Sequence, residues 1–247
     1  MENTPRWNVL LTAALYLAAL QTQASEAQIA PFSAAKTELP PAPWRAVGVP
    51  GGKIPLTAFT VTALDGQRVL RVEALKSYGT LVHALAHRTP DPSTQLSWRW
   101  RLDKGLQGTD LRQRAGDDSP LKLCVSFDLP LDKLGLIERS LLRFARAASD
   151  EVLPSATLCY VWDATLPTDT LLPNAYTARV RMLVVNNAHQ ALGRWVAHTR
   201  NVVADFRVAF AGEFDTMPPI TAVLVGGDSD NTSEHSIGYV DDVSLKP

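Results

Sequence analysis

The segment Ser97-Trp98-Arg99-Trp100-Arg101-Leu102-Asp103 is the part of this sequence best equipped for recognition chemistry. With the period of two that a strand imposes, Leu96, Trp98, Trp100 and Leu102 share one face, and Ser97, Arg99, Arg101 and Asp103 share the other. Burying large aromatic rings is strongly favourable, so the tryptophan face is the core face. Arg99 and Arg101 then stand about 7 Å apart on the opposite side, at about 3.3 Å per residue. Two guanidinium forks so placed suit carboxylates or sugar hydroxyls; the alternative is that they pair with Asp or Glu on neighbouring strands.

Two oxygen-rich turns form the second group. Gly116-Asp117-Asp118 precedes one strand, and Asp228-Ser229-Asp230-Asn231-Thr232 precedes the last. Such turns can hold Ca²⁺, which takes oxygen ligands, and ordinary Asx turns account for them equally well. The second turn is not an EF-hand loop, since Ser233 stands where that loop needs Gly and Tyr239 where it needs Glu. A structural Ca²⁺ held by Asp228 and Asp230 is the one cofactor suggested. Trp162 ends a strand and enters a long loop, 164–176, which makes it the best candidate for an exposed ring on which a sugar could stack. The ligand-binding set expected from sequence is therefore Arg99, Arg101, Asp118, Trp162, Asp230 and Asn231.

Other chemistries find little support. His83 and His87 fall at the end of an expected strand, about 13 Å apart, and no Glu follows His83 as a zinc-protease motif requires. There is no Gly-x-Ser-x-Gly elbow, no P-loop and no Gly-x-Gly-x-x-Gly. Acidic residues are too numerous for any one pair to stand out as a glycosidase dyad. No catalytic residue is assigned.

These groups must be positioned by short alternating segments. Strands are expected at 57–63, 68–75, 79–86, 95–103, 121–128, 157–163, 178–186, 194–201, 220–226 and 236–245, with Asp65-Gly66 as a tight hairpin turn. About ten strands with turn signals between them predict an all-β, antiparallel, jelly-roll-like β-sandwich. Two helices interrupt the pattern: 131–148, with Arg139, Arg143 and Arg146 on its polar side, and 202–210, stopped by Gly212. Residues 25–56 form a Pro-rich lead-in that docks Trp44, and 57–247 form one domain with the helical insertion near 131–150.

Composition is that of an ordinary globular protein: 247 residues, net charge −1, 46% hydrophobic and 20% charged. A near-neutral balance argues against a nucleic-acid binder. Arg6 followed by the apolar run Val9 to Leu20 and small residues near Ala24 reads as a signal peptide over 1–24, the run of about a dozen residues being short for a membrane span; the alternative is an uncleaved membrane anchor. The expected location is therefore exported, periplasmic or secreted, with no membrane span after signal removal. Cys124 and Cys159 either form a disulfide in that compartment or stay as two buried thiols.

Phe32-Ser33, Pro43-Trp44, the LSWRWRLD strand, Gly116-Asp117-Asp118, Phe127, Tyr160-Val161-Trp162, Arg200-Asn201-Val202 with Asp205 and Phe210, and the Asp228–Thr232 turn occur in an order that resembles the DUF3047 family of exported bacterial proteins. The resemblance runs through nearly the whole mature sequence. It implies a jelly-roll sandwich similar to carbohydrate-binding modules, and brings no catalytic residues. Two departures stand out: a longer insertion between Pro130 and Pro154, and Ser233 in place of a Gly. The leading functional expectation is a non-catalytic domain for a glycan or similar polyhydroxylated or anionic ligand. The alternatives are a structural or protein-interaction component of the bacterial envelope, and a polysaccharide lyase or hydrolase.

Overall fold

The computed structural model describes residues 29–49, 51–128, 139–140 and 154–247. The expected signal peptide lies outside the described residues, as does all of the expected first helix apart from Arg139 and Ser140.

Among the described residues thirteen strands and one α-helix with described ends succeed one another: β1 (Arg45–Val47), β2 (Ala58–Leu64), β3 (Gln67–Leu75), β4 (Tyr78–Arg88), β5 (Gln95–Lys104), β6 (Leu121–Phe127), β7 (Ala156–Trp162), β8 (Leu171–Pro173), β9 (Val180–Asn186), β10 (Trp195–Asn201), α1 (Val202–Ala209), β11 (Ile220–Asp228), β12 (His235–Val240) and β13 (Ser244–Lys246); Arg139 and Ser140 are also helical. One sheet has the order β1-β4-β11-β6-β7-β9-β8, the other β10-β5-β12-β3-β2, with β13 also pairing β5. The chain changes sheet repeatedly, as between β4, β5 and β6, which is the jelly-roll pattern. Among the described strands pairing is antiparallel except between β7 and β9, which run parallel; a single parallel bridge also joins Leu56 to Tyr78. The single strand expected over 236–245 is divided: the chain turns out at Asp241, and both halves pair β5.

Local chemistry explains the register. Asp65 and Gly66 both have positive φ (52° and 78°), as the tight β2–β3 hairpin requires. Gly238 lies where a Cβ would come within 2.6 Å of Leu121 on the opposite sheet, so only glycine lets the sheets approach there. Its neighbour Tyr239 consequently points outward.

The core lies between the sheets. Trp98 and Trp100 are buried as the alternation demands, with ring centroids 5.4 Å apart, and Trp98 packs on Tyr160 at 5.2 Å. At about 25 cal/mol per Å² and 150–250 Å² per ring, each contributes about 4–6 kcal/mol before entropy is subtracted. The helix α1 is capped by Asn201, whose side chain accepts from the Ala204 N–H at 2.9 Å. It is tied inward by Asp205, which accepts from the Tyr160 hydroxyl and both arms of Arg200. A smaller apolar cluster on the outside of the β6–β7–β9 sheet holds Leu111, Leu166 and Leu172 against a disulfide between Cys124 and Cys159. These two cysteines face each other directly across β6 and β7. Ahead of β1, Phe32 and Trp44 stack at 5.0 Å, and the Trp44 indole N–H donates to the Ala30 carbonyl.

Candidate functional site

The outer face of the β5 sheet carries a row of side chains aligned across the strands. Trp195 on β10 stands directly opposite Arg101 on β5, Arg101 opposite Tyr239 on β12, and Tyr239 opposite Arg71 on β3. Arg99 lies one pleat along the same face, its guanidinium over the Trp195 ring at 5.3 Å. Both predicted arginines thus occupy the predicted face.

Their charges are met locally. Arg99 donates to Asp241 through Nε at 2.7 Å and through Nη2, and to Gln67 at 2.7 Å. Arg101 donates to Asp103 at 2.6 and 3.2 Å and to Asp65 at 3.1 Å. The Trp195 indole N–H also donates to Asp65, at 3.0 Å. Arg71 is held by Glu73 at 2.5 Å, and its guanidinium pKa lies above the ordinary value through Glu73 first and the Tyr239 hydroxyl second. Glu73 in turn accepts from His235, which bonds Lys104. The Asp65 side chain keeps 55% of its surface and Arg99 39%, so the network is fixed and still open to solvent.

The second predicted group forms a separate corner. It lies beyond His235, about 13 Å along β12 from Tyr239. Asp118 is fully buried, and both its oxygens are engaged by Asn231 and Thr232 through backbone and side chain. The Asn231 carbonyl oxygen accepts from the hydroxyl of Tyr176, a half-exposed ring under the Arg114 guanidinium. Asp228 accepts from the Ser119 N–H at 2.9 Å and from the Lys122 ammonium at 2.5 Å.

One carboxylate oxygen each from Asp118, Asp228 and Asp230 lie within 4.8 Å of one another, and Asp230 Oδ1 is buried without a hydrogen-bond partner. An all-oxygen set with one acceptor unbonded fits a hard cation such as Ca²⁺, although Lys122 already places positive charge on Asp228. Burial shifts several groups here. Asp117 is pushed up to about 6 by burial, with Lys122 and Asn174 opposing. Asp230 is raised by burial and then by the charges of Asp118 and Asp228. Lys122 feels burial as a downward push, and the charges of Asp228, Tyr78 and Asp117 together with the hydrogen bond to Asp228 more than offset it.

Three expected ligand contacts are therefore placed otherwise. Trp162 is 1% exposed, because Trp100 from the opposite sheet closes over it at 5.9 Å; it presents no face to a ligand. Asp118 and Asn231 lock the turn from inside, their polar atoms spent on each other and on their neighbours. Asp230 stays half-buried at the rim of the corner.

A family model described as protein of unknown function (DUF3047) matches residues 42–244. The chain belongs to this family. No curated protein matches it. Among solved structures it is similar to the family 11 carbohydrate-binding module of the cellulosomal cellulase Lic26A-Cel5E of Clostridium thermocellum, at 7% identity over 89% of this chain and 93% of that one, with a TM-score of 0.45. It is also similar to the catalytic domain of Humicola grisea Cel12A, at 10% identity over 82% and 92%, TM-score 0.41. A third is the K3 cleaved adhesin domain of Lys-gingipain from Porphyromonas gingivalis W83, at 12% identity over 89% and 98%, TM-score 0.38. Likenesses at these scores bear on no functional question. Within this DUF3047 chain, Trp195, Tyr239, Asp65 and Asp241 are the members of the face that sequence reasoning missed. Lys122 had a usable signal: one cation inside the buried run Leu121–Phe127 demands a carboxylate partner.

Proposed function

We propose that this protein is an exported, non-catalytic module, periplasmic or secreted, that binds a glycan on the outer face of the β5 sheet. The observation that carries the proposal is the row Trp195–Arg101–Tyr239, two aromatic side chains with a fixed guanidinium between them on a rigid sheet. Apolar ring faces suit the C–H faces of sugars, and pre-oriented ionic groups suit hydroxyls at little entropic cost. Each arginine of the face is already committed to a carboxylate, which favours holding a ligand over transferring its protons. Export is supported by the leader pattern of residues 1–24 and by the Cys124–Cys159 disulfide, a bond of oxidising compartments. A structural Ca²⁺ belongs to the proposal, with Asp228 and Asp230 as its oxygen donors.

The test is melting temperature and calorimetric titration across an oligosaccharide panel, with Ca²⁺ and with EDTA. At 100 times its dissociation constant a ligand stabilises the fold by about 2.7 kcal/mol, a shift of several degrees. Trp195→Ala is expected to abolish the sugar-dependent shift while the circular dichroism spectrum is retained. A sugar shift unchanged in Trp195→Ala removes the face from the proposal, and no response to Ca²⁺ removes the ion.

A further inference from the structure

The charge pairing on this face bears on what kind of sugar it accepts. Three guanidinium groups, Arg71, Arg99 and Arg101, meet four carboxylates, Glu73, Asp65, Asp103 and Asp241, all within salt-bridge distance of an arginine. No arginine of this row awaits an anion. A sugar carboxylate arriving here would have to displace one already paired, and would lie among four like charges. Displacement strands an acid of the face without its cation, and Asp241, with only 15% of its side chain exposed, would be left part-buried and unpaired. A hydroxyl requires no such exchange. It can donate to a spare carboxylate lone pair or accept from an unused guanidinium N–H while every ion pair stays intact.

Geometry adds a direction. Strands lie about 4.8 Å apart, so Trp195 and Tyr239, two strands apart, are separated by about 9.6 Å with Arg101 midway. A chain laid perpendicular to the strands meets ring, cation and ring in turn, more than one sugar unit long.

We infer that the face selects uncharged oligosaccharides laid across the strands and discriminates against uronate-bearing ones. This rests on the glycan reading of the same face. It is tested by calorimetric titration of the intact chain with matched neutral and uronate hexamers of the gluco, manno and galacto series, which differ at C6 oxidation. In whichever series binds, the neutral hexamer is expected to bind at least tenfold tighter. Asp65→Asn combined with Asp241→Asn is expected to narrow that ratio several-fold, since it frees guanidinium donors for an anion; Asp65 is exposed and Asp241 part-buried, so retained melting cooperativity checks the fold. Equal or tighter binding of the uronate, or an unchanged ratio in the double variant, overturns the selectivity and leaves the glycan site standing. Binding of none of the six overturns the glycan reading itself, and the selectivity with it.

Discussion

Replacing Lys122 with Met tests the electrostatic logic of the acidic corner. The substitution keeps the long apolar stem and removes the ammonium, which sits 2.5 Å from Asp228 Oδ2 and over the Tyr78 ring at 5.2 Å. Asp228 keeps only 5% of its side-chain surface, so little solvent is available to compensate. Two unit charges about 3 Å apart at an effective dielectric of about 20 attract by about 5.5 kcal/mol. The variant need not lose all of this, because Asp228 can take a proton instead. That escape costs at most about 4 kcal/mol at pH 7, being 1.36 kcal/mol for each unit between pH 7 and an ordinary carboxyl pKa of about 3.9. The expected loss is therefore about 3–4 kcal/mol at pH 7, within the range for breaking a buried pair. For a chain of this length it lowers the melting temperature by roughly 6–16 °C.

The sign of the pH dependence follows from Asp228. Its folded pKa is already raised by burial, which Lys122 opposes, and losing Lys122 raises it further. A carboxyl with a raised folded pKa destabilises the fold only above its unfolded pKa, so the deficit grows as pH rises and shrinks as pH falls. At pH 4.5 the same arithmetic leaves under about 1 kcal/mol. Urea unfolding followed by tryptophan fluorescence at both pH values reads the two numbers, and Asp228→Asn added to Lys122→Met should recover most of the loss at pH 7. A deficit below 1 kcal/mol at pH 7, or one that does not shrink in acid, would refute the reasoning.

Further expectations follow from other parts of the fold. Removing the disulfide with Cys124→Ala and Cys159→Ala opens a loop of 35 residues and should cost about 4 kcal/mol in the chain-entropy account, measured as a lowered urea midpoint. His198 lies against Trp98 and Trp100 with Nε2 on the Asn186 carbonyl oxygen, and burial followed by the Arg200 charge lowers its pKa to about 4. A base whose folded pKa is depressed loses stability as pH falls from about 6.5 toward 4, so His198→Gln should lose less than the parent over that window when midpoints are compared at pH 7 and 4.5.

Alternation alone makes the central strand of the face legible in the sequence. Trp98 and Trp100 can only go inward, and Arg99 and Arg101 have to come out. The Asp65-Gly66 hairpin and the Asn201-led helix are equally local and equally readable. Strands of three residues, β1, β8 and β13, are too short to show a period. Trp162 misleads because a strand end beside a long loop looks exposed, while the ring that covers it, Trp100, comes from the other sheet. The partners of the arginines are illegible for the same reason: Asp241 is 142 residues from Arg99, and only the break between β12 and β13 aims its carboxylate back. Ser233 adopts φ +58°, the left-handed backbone shape that glycine takes without strain.

The position of the disulfide sets a boundary on what happens between β6 and β7. Cys124 and Cys159 join the two strands across directly paired positions, inside both ends of the connection from Asp128 to Ser155. The strands are thus fastened independently of the chain that links them. A cut anywhere in that connection leaves one covalent molecule that separates into two only on reduction. Extra residues there add little closure entropy to the folded core, because the bond, and not the linking chain, keeps the strands together. The same fastening lets this connection change in length without disturbing the β6–β7 register.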